Sequence, residues 1–195
     1  MRDSQLFSSS SGGQRFRTRL IVEIGITISL AVAMSTITRL VQLPWGGSIS
    51  LGSLQIAVIA IVRGVQVGGI VGGGYGLVDL LLNPFIVHPI QILLDYPLPN
   101  AAFGSIMGFL YLKYSIEKPW TYFAIVFIAG LAKWSLHWCS GILYFSAYAP
   151  EGQSVWIYSA IYNASHVIPE TIVCIILLRM VSSYLSSKKT FSIRY

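Results

Sequence analysis

"LIVEIGITISLAVAMSTITRL", residues 20–40, carries one acid near its start and one base near its end, and everything between is apolar, small or hydroxylic. As a helix rising about 1.5 Å per residue it is roughly 30 Å long, the thickness of a bilayer's hydrocarbon core. A soluble surface helix would show a charged face, and this one has none. Comparable runs recur along the 195-residue chain, which is 54% hydrophobic and only 10% charged, with a mean hydropathy of +0.69. A lipid core offers the backbone no hydrogen-bond partners, so long apolar runs of this kind cross it as helices. The expected fold class is therefore an all-α integral membrane protein.

Six transmembrane helices are expected, at about 20–40, 51–63, 65–82, 91–112, 119–146 and 156–183. The second is short and must rely on its neighbours. An even count puts both termini on one side, and the basic residues choose which. Arg2, Arg15, Arg17, Arg19, Arg63, Lys113, Lys118, Arg179, Lys188, Lys189 and Arg194 gather on the terminal side, Arg39 falls opposite and Lys133 falls within a span. By the positive-inside asymmetry both termini are cytoplasmic. Residues 1–18 read as a disordered basic cytoplasmic arm with no signal-peptide core, 19–184 as a six-helix substrate-binding domain, and 185–195 as a cytoplasmic tail. The net charge of +6 lies at helix ends, which argues against a nucleic-acid partner. Cys139 and Cys174 lie in apolar segments and imply neither disulfide nor metal site.

The external connections "QLPWGGSIS" (42–50), "NPFIVHPIQ" (83–91) and "AYAPEGQSV" (147–155) are rich in turn formers and aromatics, whereas the inner links are short. A small ligand is therefore expected on the external side. In "GGIVGGGYG", Gly68, Gly72 and Gly76 recur every fourth residue, which suits close helix approach. A phosphate loop would need a Lys-Ser/Thr after the glycines, and none follows. Gly25, Ser29 and Ala33 form a similar small stripe that either packs within the monomer or docks a second membrane subunit.

Ionisable residues inside a membrane are costly and are candidates for function by default. Glu23 has a structural explanation, an i,i+4 pair with Arg19. Asp95 and Tyr96, in "LLDYPL" beside Pro97, are expected to begin a helix and face a cavity near the outer leaflet. The plain role for Asp95 is an ion pair with Lys133 or a bond to a hydroxyl, and the functional role is counter-ion to a cationic ligand. Lys133, His137, Gly141 and Phe145 share one face of span five, with Trp134 and Trp138 adjoining, and Gly141 leaves room there for a flat ring. Tyr158, Tyr162, Asn163, His166 and Glu170 form the polar side of span six. An acid, an amide, histidines and aromatics suit a small planar cation. The histidines lack the spacing of a metal motif, and no metal or other cofactor is called for.

"LLDYPL" (93–98), "KWSLHWCSGILYF" (133–145) and "YSAIYN" (158–163), with "PWGGSIS" and "HPIQ", resemble the ThiT (YuaJ) family, the thiamine-specific S-components of energy-coupling factor transporters. The resemblance runs from about Arg15 to Arg179. It implies a six-helix, multi-pass protein of a bacterial plasma membrane that binds thiamine with high affinity from outside. It also implies release inward only with a transmembrane coupling subunit and two cytoplasmic ATPases. It carries binding roles to Asp95, Tyr96, His137, Phe145, Tyr158 and Asn163, with Trp138 adjoining and Trp45 as the loop tryptophan that closes over the ligand. Asp95 and Phe145 stand where Glu and Trp are the expected family residues. Which thiamine ring Asp95 touches is left open. Gly25 and Ser29 correspond to the motif that grips the coupling subunit. The alternative is a stand-alone proton-coupled transporter of thiamine or a related cation, for which no internal repeat is visible. An enzyme is not expected, since no nucleophile, base and orienting group share a face.

Overall fold

The computed structural model describes residues 3–39, 41–44, 47–114 and 119–187. Helix α1 (Asp3–Ile37) leads into an antiparallel pair, β1 (Val41–Gln42) and β2 (Ser48–Ile49), in the register Val41 to Ile49 and Gln42 to Ser48. Helices α2 (Gly52–Leu82), α3 (Pro89–Asp95), α4 (Pro97–Lys113) and α5 (Pro119–Tyr144) follow, then a 3-10 turn (Ser146–Tyr148) and α6 (Val155–Ser187). Among the described residues, four stretches are long and apolar enough to cross a membrane: Gly13–Ile37, Gly52–Leu82, Trp120–Tyr144 and Val155–Met180. Residues 3–18, expected as an irregular arm, continue α1 instead. Extending a helix that already exists costs far less than nucleating one.

The third-longest helix in that list of elements is not straight. Gly64 interrupts α2 at φ 81°, ψ −167°, a conformation open to glycine and strained for other residues. A Cβ placed on Gly68 would lie 2.7 Å from that of Ala60, although eight residues of straight helix would separate them by about 12 Å. The chain therefore doubles back at Gly64, and the halves correspond to the separate spans expected at 51–63 and 65–82.

The returning half packs along α4 through the expected glycines. A Cβ on Gly68 would sit 2.5 Å from the Gly104 carbonyl oxygen, and one on Gly72 or Gly76 would overlap the carbonyl of Asn100 or Tyr96. Gly108 meets the backbone of Gly64 and Val65. Each step of four up one helix is a step of four down the other, so the two run antiparallel in fixed register. Small residues permit this backbone approach, and its last rung sets Tyr96 beside Gly76.

The span expected at 91–112 is broken into α3 and α4 at Tyr96 and Pro97. Proline lacks an N–H and disfavours helical geometry in the residue before it. Asp95 thus ends one helix rather than beginning the next, a correction to the sequence reading.

Large apolar side chains line the outside, among them Ile21, Ile26, Leu81, Trp120, Phe127 and Ile176. The interior mixes a core of Ile56, Val71, Phe103, Met107, Val126 and Cys174 with buried Gln91, Asn100, Lys133, Ser159, Asn163, His166 and Glu170. An apolar exterior over a polar interior suits lipid as the surrounding solvent. Near one end Glu23 accepts from Arg19 Nε at 3.0 Å, as expected, and also from Arg63 Nε at 2.8 Å. The second bond ties α1 to the reversal of α2. Among the described residues the Gly25–Ser29 stripe is left uncovered: both residues are exposed, and a Cβ on Gly25 would meet no neighbouring group within 4 Å.

Candidate functional site

A cavity of about 250 Å³ lies between the ends of the helices, lined from the loops by Gln42–Pro44, Gly47, Ser48 and Ser50 and by Asn83–Phe85. The α5 face contributes Lys133, His137 and Gly141, with Phe145 just beyond the helix end, and α6 contributes Tyr158, Asn163, His166 and Glu170. Asp95 and Tyr96 line it from the α3–α4 break. The i,i+4 repeat on α5 and the three- and four-residue steps on α6 are what turn these side chains to one side.

Three carboxylates line the cavity, and they are treated differently. Asp79 receives Arg39 Nη2 at 2.8 Å and Asn83 Nδ2 at 3.0 Å. Glu170 receives Lys133 Nζ at 2.9 Å and Ser53 Oγ at 2.6 Å, and Lys133 also donates to Ser53 Oγ at 3.1 Å. This pair is nearly sealed, with side-chain exposures of 8% for Lys133 and 6% for Glu170. The ion pair between Asp95 and Lys133 considered from sequence is therefore replaced by Lys133–Glu170, while Asp95 lies beside His137, one turn further along α5. Asp95 accepts from Gln91 Nε2 at 2.6 Å through Oδ2. Its Oδ1 lies 3.5 Å from His137 Nδ1, and its side chain is 19% exposed.

Other expected residues have specific duties. The Tyr96 hydroxyl donates to Asn83 O at 2.9 Å and accepts from Phe85 N at 2.8 Å, so it holds the Asn83–Phe85 segment over the cavity. Phe85 lies nearly parallel to Phe145, with ring centroids 5.9 Å apart and planes at 18°. Asn163 Nδ2 donates to Ser159 O at 2.9 Å and His137 O at 3.2 Å, while its Oδ1 lies 3.4 Å from His166 Nε2. Its donor side is thus committed to holding α5 on α6. The room expected at Gly141 for a flat ring is taken: a Cβ there would overlap Ser159 Oγ and lie 3.2 Å from Asn163 Nδ2. Gly141 instead lets α6 approach α5.

Trp138 is not among the cavity residues. Its indole donates to Trp156 O at 3.0 Å and stacks on Trp134 at 5.4 Å, pinning α5 to α6 from the side. Trp45 lies outside the described residues. Nearby, Gly47 (φ 81°) brings the loop onto His166, where a Cβ would lie 2.8 Å from the imidazole. Gln91, Ser159, Phe85 and Arg39 were not singled out from sequence as site residues. For Gln91 the four-residue step to Asp95 in "QILLD" was the available signal.

A helical chain with a lipid-facing surface and a small polar, aromatic-walled cavity belongs to the class of multi-pass membrane proteins that handle a small solute. The chain belongs to the Thia_YuaJ family of thiamine transporter proteins, whose model matches residues 21–190. It is 34% identical over 167 residues to the thiamine transporter ThiT of Bacillus subtilis (strain 168), covering 81% of this chain and 87% of that one. It is 27% identical over 171 residues to ThiT of Lacticaseibacillus paracasei, covering 82% and 84%. The fold resembles the solved structure of ThiT from Listeria monocytogenes, with a TM-score of 0.74 at 23% identity, over 88% of this chain and 97% of that chain. The protein is accordingly a multi-pass cell-membrane protein of thiamine uptake and not an enzyme.

Proposed function

We propose that this chain is the thiamine-capturing S-component of an energy-coupling factor importer. It crosses the membrane six times with both termini cytoplasmic, the halves of α2 counting as two passes, and its cavity opens outward. Asp95 neutralises the thiazolium charge, and His137, Phe145, Tyr158, Asn163 and Tyr96 complete the walls, with Trp138 at the periphery. One observation carries this reading: Asp95 is the cavity carboxylate that faces neither lysine nor arginine among the described residues. A carboxylate held by an amide and left partly open is suited to an external cation. Phe85 and Phe145 offer ring faces for cation–π and stacking contacts.

Delivery inward uses a membrane coupling subunit driven by two cytoplasmic ATPases. The exposed Gly25–Ser29 stripe on α1 supports this, since small residues permit a second helix to approach closely. A stand-alone proton-coupled carrier would need a titratable relay through Asp95, Lys133 or Glu170, and the last two are closed on each other. The test is a titration of the purified protein with thiamine, followed by tryptophan fluorescence. Saturable quenching in the wild type, weakened strongly in Asp95→Asn, is expected, and an unchanged affinity in that variant would remove Asp95 from the site. Uptake by vesicles holding this chain alone, abolished by an uncoupler, would overturn the subunit reading.

A further inference from the structure

Gln91 is the most deeply buried amide in the molecule's described residues, 1% exposed, and all of its hydrogen-bonding capacity is directed at two features. Nε2 donates to Asp95 Oδ2 at 2.6 Å and to Phe85 O at 3.1 Å, and Oε1 accepts from Val87 N at 3.2 Å. With two acceptors on one side and an N–H on the other, the orientation of the amide is fixed by its partners. The side chain therefore ties the Asp95 carboxylate to the Phe85–Val87 backbone, which continues the Asn83–Phe85 stretch that lines the cavity.

This division of labour leaves the two oxygens of Asp95 unequal. Oδ2 is engaged by Gln91 inside the wall, and Oδ1 points towards His137 and the cavity. An aspartate has a single methylene, so a small rotation about its side-chain bonds would turn the free oxygen away from a bound charge. A short hydrogen bond from an immobile donor removes that freedom before any ligand arrives, which reduces the ordering cost of binding.

We propose that Gln91 is a positioning residue for thiamine recognition: although it lines the cavity, its amide is engaged by protein partners, and it holds Asp95 with one oxygen presented to the ligand's positive charge. The inference rests on the reading of Asp95 as the thiazolium counter-ion. It distinguishes Gln91 from a merely structural buried amide, because its loss should weaken a charged ligand selectively.

The experiment compares thiamine with its uncharged analogue, in which carbon replaces the thiazolium nitrogen, on wild type, Gln91→Met, Asp95→Asn and the double variant, each titrated as the full-length protein in detergent. Gln91→Met is expected to lose about tenfold or more in thiamine affinity, with a much smaller loss for the uncharged analogue, and to add little once Asp95→Asn is present. Equal losses for both ligands, or no loss while Asp95→Asn is strongly impaired, overturn the proposal. If Asp95→Asn itself binds thiamine normally, the counter-ion reading fails and takes this inference with it. Gln91→Asn keeps an amide but stops one methylene short of Asp95, and it replaces the methionine variant if that one does not fold, with the same ligand-selective loss expected.

Discussion

Glu170 and Asp95 line one cavity, yet the fold satisfies the first completely and leaves the second partly open. Glu170 has an ammonium and a hydroxyl within 2.9 Å, on side chains from α5 and α2. Asp95 has an amide at 2.6 Å and an imidazole at 3.5 Å. The first arrangement is a closed structural unit joining three helical segments. The second keeps a negative charge available, held by an amide but not paired with a lysine or arginine among the described residues. A polar group in a membrane interior can thus hold the bundle together or receive a ligand, and its nearest neighbours decide which.

The sharpest way to break this contrast is Lys133→Met. Glu170 would be left buried without its cation, and the thermal unfolding midpoint should fall by an amount equivalent to about 3–5 kcal/mol. Adding Glu170→Leu should recover much of that loss, since an apolar pair of similar volume needs no partner. Asp95→Asn should do the reverse, weakening thiamine binding by about 2–5 kcal/mol in titrations while moving the unfolding midpoint little. If both variants lost stability equally, the division between structural and ligand-facing carboxylates would collapse.

Gly72→Ala probes the frame that carries Asp95 rather than the charge itself. Its new methyl would overlap the Asn100 carbonyl, so the α2–α4 register must shift, with a destabilisation of about 1–3 kcal/mol in the same unfolding measurement. The smallest effect on the isolated protein belongs to Gly25→Leu. A Cβ there would meet no neighbouring group within 4 Å among the described residues, so stability and thiamine affinity should be unchanged. Uptake in vesicles containing the complete transport module should fall, and unimpaired uptake would remove α1 from the coupling surface.

Much of this arrangement was legible in the sequence because it repeats at helical spacing. The glycines at 68, 72 and 76 pack as their four-residue period requires, and the polar faces of α5 and α6 turn Lys133, His137, Asn163 and His166 towards one cavity. What was not legible joins residues far apart in the chain or depends on a single backbone angle. Lys133 finds Glu170 and Arg39 finds Asp79 only after the helices are assembled, so spacing gave no means of preferring these partners. Pro97 signalled an irregularity, but whether Asp95 fell before or after the helix break depended on one residue of register. Gly141 looked like vacant space because the sequence does not show that Ser159 fills it.

The reversal at Gly64 also bears on how a helix too short to span the membrane is held within it. Residues 52–63 make a helix only about 18 Å long at 1.5 Å per residue, well short of the roughly 30 Å core. Such a segment has too little apolar length to be held in a bilayer by itself. It is retained because residues 65–82 are tethered directly to it and already lie against it through Ala60 and Gly68. The short half therefore depends on the long one for its place in the membrane, and the positive φ of Gly64 is the single backbone feature that lays one against the other.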